Sequence, residues 1–175
     1  LILSKPIGTG IVNMAVRAGL ATEAAKSASE TSMAALNRRA AEILARFGVS
    51  ACTDVTGFGL AGHAAEMASG ARCGLTLGLG AIPYLPGARD YAAMGLVPEG
   101  AWRNREGRGA ALRGAENLSP VENDLLFDPQ TSGGLLAAIP EASAEEALDA
   151  LREAGVDAAI VGKSGGEPGT VTIER

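Results

Sequence analysis

The chain carries its apolar residues in two rhythms. Short period-two or continuous apolar runs predict strands at 1–5 (LILSK), 49–55 (VSACTDV), 73–79 (CGLTLGL), 135–140 (LLAAIP), 158–164 (AAIVGKS) and 170–175 (TVTIER). A spacing of three or four predicts helices between them. A short one runs over IVNMAVRAG and ends at Gly19. A long one starts at a Thr22 cap and reaches Phe47, with Met33, Leu36, Ala40, Ile43, Leu44 and Phe47 inward, Arg38–Glu42 and Glu42–Arg46 pairs outside, and Gly48 at its end. Others run from about Phe58 to Ser69, around Ala88–Met94 after a turn marked by Pro83 and Pro86, and over VENDLLF. The last is opened by a capping box, Ser143 with Glu146, and closed by Gly155. Residues 96–117 are polar, Arg-rich and weakly periodic, and predict a long loop. The interleaved order predicts an α/β, α+β-type layered fold, a mixed sheet with helices packed on it.

Composition narrows this picture. The chain has 175 residues, 47% of them hydrophobic, which suits one domain with a sizeable core. Aromatics are 3%, so small aliphatic side chains fill the core. The net charge of −5 gives no basic footprint for nucleic acid. The apolar runs are too short to span a bilayer, and LILSKP lacks the layout of a signal peptide, so a cytoplasmic location is expected. Because it begins at Leu1 without Met, the chain reads as a piece of a longer protein. Cys52 and Cys73 form no C-x-x-C pair and read as small structural hydrophobes.

Residues 57–62, GFGLAG, spell the dinucleotide fingerprint. That fingerprint needs an acid about 20 residues on, and no Asp or Glu lies between Cys73 and Ala88. A Walker A loop is excluded because no Gly-Lys-Ser/Thr follows. The acid stands in front of the glycines instead. Asp54 ends a strand, where side chains project into the ligand crevice of α/β folds, and one carboxylate there can serve Mg²⁺ beside substrate phosphates. Gly57 and Gly59 allow close backbone approach, and Thr53 and Thr56 add hydroxyls. The competing reading makes Asp54 or Thr56 a helix cap and the glycines a turn. His63 with Glu66 could ligate a metal, but a packed, hydrogen-bonded His fits the pattern better.

DPQTSGG, residues 128–134, can form either an anion-binding nest or a tight entry to a strand, with Asp128 holding the loop. Arg103 with Asn104 is the functional candidate in the 96–117 segment, with Trp102 as its anchor. Lys5 is a further phosphate candidate or a strand-end Lys. Asn37 faces inward and needs a hydrogen bond.

Taken together, LSKPIGTGI, ACTDVTGFGLAGH, AIPYLPGA, RN at 103–104 and DPQTSGGLL resemble, in content and order, the C-terminal half of the selenophosphate synthetase (selenide, water dikinase) family, which shares a superfamily with aminoimidazole ribonucleotide synthetase. The resemblance implies a single C-terminal domain, 1–175, of a two-domain enzyme that converts ATP, selenide and water to selenophosphate, AMP and phosphate with Mg²⁺. It implies that Asp54 is a metal ligand, beside which the local pattern expects Thr56, Gly57 and Gly59 to border the phosphates. The catalytic Cys or selenocysteine belongs to the N-terminal domain, so Cys52 and Cys73 do not inherit that role and this chain alone is inactive. A homodimer is implied for the full enzyme. Two positions depart from the family pattern: Phe127 stands where Cys is common, and Ala101 where Ser or Thr is common. The alternatives are another enzyme of the superfamily, such as a purine-biosynthetic synthetase or the hydrogenase-maturation dehydratase, and a non-catalytic binding or assembly module.

Overall fold

A computed structural model describes residues 1–175. The elements in chain order are β1 (Ile2–Leu3), α1 (Thr9–Arg17), α2 (Glu23–Ala34), α3 (Arg38–Leu44), β2 (Ala51–Asp54), α4 (Gly59–Ala71), β3 (Leu75–Gly78), α5 (Ala88–Ala93), α6 (Glu99–Arg108), β4 (Leu112–Arg113), α7 (Pro120–Leu126), β5 (Leu135–Ala138), α8 (Ala144–Glu153), β6 (Ala159–Ile160), β7 (Gly162–Ser164) and β8 (Val171–Glu174). The layered α/β expectation holds, but with two sheets in place of one. The first is antiparallel, in the order β2-β5-β1-β6, and the second is mixed, in the order β4-β8-β3-β7. Val161 joins them. Its N–H donates to Leu1 O (2.9 Å) in one direction, and its carbonyl accepts from Gly78 N–H (2.9 Å) in the other.

Burial explains the strand patterns. Leu75 and Leu77, and Val171 and Ile173, alternate inward because one face of the second sheet is covered. β5 is apolar throughout because both of its faces are covered. Leu136 and Ala138 enter the main cluster with α4, whereas Ala137 packs with Ala40, Leu44, Leu148 and Leu151 of α3 and α8. A third cluster joins α1, α5 and α7 through Ile11, Val12, Tyr91 and Leu125. β2 is an edge strand, paired only to β5, and ends at Asp54 opposite Leu135.

Four expectations from the sequence are corrected. The helix from Thr22 to Phe47 does start at a Thr22 cap, whose hydroxyl accepts from Ala25 N–H (3.2 Å). It breaks after Ala34, however, where Ala35 turns extended (φ −66°, ψ 126°) and Leu36 is left 82% exposed. Two tertiary bonds favour the break: Lys5 Nζ donates to Ala35 O (2.7 Å) and Asn37 Nδ2 to Gly133 O (2.8 Å). The 96–117 loop contains α6, a helix that buries only Ala101 and Asn104 and is otherwise polar, so its period is faint. Trp102 does not anchor it, being 55% exposed. Ser143 forms no capping box, because a preceding 3₁₀ turn already takes its N–H to Pro140 O (3.0 Å). The capping box sits instead at Ser119 and Glu122, with Pro120 in the first helical turn.

Candidate functional site

Alternation along β2 sends Cys52 and Asp54 out on one face while Val55 turns into the core. The Asp54 carboxylate enters no hydrogen bond or ion pair. It is therefore not the cap of α4, whose first turn has no side-chain cap. The backbone that follows is fixed residue by residue. Val55 N–H donates to Gly134 O (2.8 Å), and Thr56 O accepts from Gly59 N–H (3.0 Å) and Gln130 N–H (3.0 Å). Gly57 O accepts from Asn104 Nδ2 (2.8 Å), and Phe58 N–H donates to His63 Nε2 (3.3 Å). Thr56 Oγ1 lies 3.2 Å from the same nitrogen. Gly59 is required here. Its φ is 73°, and a Cβ would lie 2.8 Å from Leu126 O and 2.7 Å from the Phe127 carbonyl carbon.

His63 is buried and hydrogen-bonded. Since Nε2 receives the Phe58 N–H, Nδ1 carries the proton and faces Glu66 Oε2 at 3.2 Å. No cluster of His, Cys, Asp and Glu dense enough to hold a metal exists in the chain. Asp54 is thus one hard oxygen donor with room around it. It fits a Mg²⁺ that takes one or two carboxylates and completes its shell from phosphates, waters and ligands on another domain. The Cys52 thiol is raised above the ordinary thiol range, first by partial burial and then by the Asp54 charge. Cys52 is nevertheless exposed as a residue, which corrects its reading as a small structural hydrophobe.

DPQTSGG packs directly against this segment. A Cβ on Gly133 would lie 1.9 Å from Val55 O. Asp128 is fully buried. Its Oδ2 accepts from Gly10 N–H (3.0 Å) and Gln130 Nε2 (2.9 Å), its Oδ1 has no partner, and burial pushes the carboxyl up to about 7. Gln130 Oε1 accepts from Gly8 N–H, Thr9 N–H and the Thr9 hydroxyl at 3.0–3.2 Å. The start of the loop is therefore a buried clamp on α1. Further along, the N–H groups of Ser132, Gly133 and Gly134 donate to no acceptor in the chain, and Ser132 has φ 51°. Such a run of free donors has the character of an anion nest.

The other candidates serve the fold. Lys5 is buried, donates to Ala35 O and Ser132 O (both 2.7 Å), and is lowered by that burial. Arg103 is an exposed partner of Glu99, whereas Asn104 is buried with its amide on Gly57 O and Phe127 O. A cavity of about 640 Å³ lies between Lys5, Asn37, Tyr84, Leu85 and Val156 and does not include Asp54. The Gln130 clamp and the bond from Phe58 to His63 were not anticipated from sequence. The sequence does predict a packed, hydrogen-bonded His63 and an Asp128 that holds its loop, but not their partners.

Residues 1–174 match the family described as AIR synthase related protein, C-terminal domain, and the chain belongs to that family. Among curated relatives it is 47% identical over 169 residues to the selenide, water dikinase of Pelobacter propionicus, covering 96% of this chain and 49% of the relative. It is 44% identical over 163 residues to that of Desulfitobacterium hafniense (strain Y51), covering 93% and 47%. The chain thus spans about half the length of the curated relatives it matches. Similar solved structures include the hydrogenase maturation protein HypE, with a TM-score of 0.68 at 22% identity over 98% of this chain and 48% of that one. Thiamine-monophosphate kinase from Stenotrophomonas maltophilia has a TM-score of 0.61 at 14% identity, with 98% and 48% covered. These two establish the fold.

Proposed function

We propose that this chain is the C-terminal domain of a two-domain selenophosphate synthetase, converting ATP, selenide and water to selenophosphate, AMP and phosphate. The carrying observation is the unpartnered Asp54 carboxylate at the end of an edge strand, on a backbone pinned at every residue that follows. The 47% identity to a selenide, water dikinase over nearly the whole chain supports the reading, and a HypE structure of the same fold was solved in complex with ATP.

Asp54 supplies one oxygen ligand to Mg²⁺, and the ion, when bound, offsets charge on the transferring phosphoryl group. Gly57, exposed and with open space where a Cβ would stand, keeps the wall beside Asp54 free of a side chain, Gly59 contributes through the turn that its positive φ allows, and the Thr56 hydroxyl borders the wall. The free N–H groups of Ser132–Gly134 add donors for phosphate oxygens. The partners are the enzyme's own N-terminal domain, ATP and selenide, in a cytoplasmic homodimer. No helix of the chain is long and apolar enough to cross a membrane. The reading is tested by comparing the chain with the two-domain enzyme in a coupled assay for AMP from ATP and selenide. The two-domain enzyme is expected to form AMP and the 175-residue chain none. AMP formation by the chain alone contradicts the reading.

A further inference from the structure

We propose that His63 and Asn104 are positioning residues: they lock the backbone of Thr56–Phe58 and thereby set the direction in which Asp54 leaves the end of β2. The proposal rests on the reading of Asp54 as a metal ligand. With no side-chain partner of its own, Asp54 has only its backbone to set the direction in which its Cα–Cβ bond leaves the strand. On the N-terminal side that backbone is paired to β5 only. On the C-terminal side Val55 and Thr56 are bonded to Gly134, Gln130 and Gly59, and beyond them the Gly57 carbonyl is held by Asn104 and the Phe58 N–H by His63, from two different helices, α6 and α4. Mg²⁺ demands near-ideal octahedral geometry, so a ligand on a loose strand end would serve it poorly.

Both side chains are themselves committed. Asn104 spends both amide hydrogens, on Gly57 O and Phe127 O (3.0 Å), so neither a carboxylate nor an apolar residue can replace it. His63 presents a lone pair at Nε2 because its proton is on Nδ1, facing Glu66. The other Glu66 oxygen takes Arg108 Nη2 (3.3 Å), and the Arg108 guanidinium lies 3.3 Å from the Phe58 ring centroid. The chain of contacts closes on Phe58, the residue whose N–H His63 holds. That closure gives the histidine one orientation and one tautomer without any metal.

The test uses the two-domain enzyme with His63→Leu, His63→Gln, Asn104→Leu and, as reference, Asp54→Asn. Two quantities are read: amide hydrogen exchange over residues 55–58, and the Mg²⁺ and ATP concentrations giving half-maximal rate. His63→Leu and Asn104→Leu are expected to speed exchange about tenfold and raise the Mg²⁺ requirement about tenfold, with the KM for ATP within about twofold. His63→Gln, whose Oε1 can take the same N–H, is expected to restore both. If leucine unfolds the domain, His63→Asn, too short to reach Phe58, replaces it with the same expected loss. Unchanged exchange and Mg²⁺ requirement in the leucine variants, or a glutamine variant as impaired as leucine, overturns the proposal. Should Asp54→Asn leave the Mg²⁺ requirement untouched, the metal reading itself falls. Loss in Asp54→Asn with no effect at His63 or Asn104 removes only the positioning role.

Discussion

Two aspartates, each within one of the chain's two distinctive motifs, are treated in opposite ways by the fold. Asp54 stands exposed at the end of an edge strand with no partner, while Asp128 is fully buried with Gly10 and Gln130 donating to it. A carboxylate left bare beside a rigid backbone is poised for a ligand from outside. One that caps α1 from the interior has its ligand already, in the chain itself. The motif containing Asp128 therefore does structural work at its start, and only its later residues, Ser132–Gly134, keep N–H groups without an acceptor in the chain.

The contrast can be tested from the buried side first. Folding raises the Asp128 carboxyl from its ordinary 3.8 to about 7, because burial outweighs the donors of Gln130, Ile11 and Gly10. Between those values the folded chain binds more protons than the unfolded one, so this group's contribution is full below about pH 4 and is lost as pH rises to about 7. The loss is up to about 4 kcal/mol, taken at about 1.4 kcal/mol per pKa unit. Urea unfolding at pH 4.5 and pH 8 is expected to show that slope in the wild type and not in Asp128→Asn. Gly133→Ala drives a methyl into Val55 O and is expected to cost about 3 kcal/mol in the same assay. Gln130→Leu strands the donors of Gly8 and Thr9 and is expected to cost about 2 kcal/mol. Arg38→Ala removes an exposed pair with Glu42 and is expected to change stability by less than about 0.5 kcal/mol.

Much of this was legible from periodicity. β5 reads as a continuous apolar run because helices cover one of its faces and the main core the other. Asp54 could be placed at a strand end from VSACTDV alone. What escaped depends on partners far away in sequence. The break between α2 and α3 contains no Gly or Pro; it is favoured by Lys5 and by the carbonyl of Gly133, which Asn37 reaches. α6 was invisible because two buried residues give no apolar stripe. Ser143 and Glu146 carried the spacing of a capping box, but a 3₁₀ turn upstream took the N–H that such a box would bind. Lys5 read equally well as a phosphate ligand, and only its two carbonyl partners decide against that.

The proposed role of Asp54 in metal binding, set against the structural role of Asp128, is reached directly by one paired measurement. Steady-state AMP formation from Mg-ATP and selenide and thermal unfolding are recorded on the two-domain enzyme with Asp54→Asn and with Asp128→Asn. Asp54→Asn is expected to lower turnover at least about a hundredfold with the Tm within about 1 °C of wild type. Asp128→Asn is expected to change the pH dependence of unfolding while turnover at pH 7 stays within about threefold. Turnover retained in Asp54→Asn, or a Tm that collapses with it, contradicts the account.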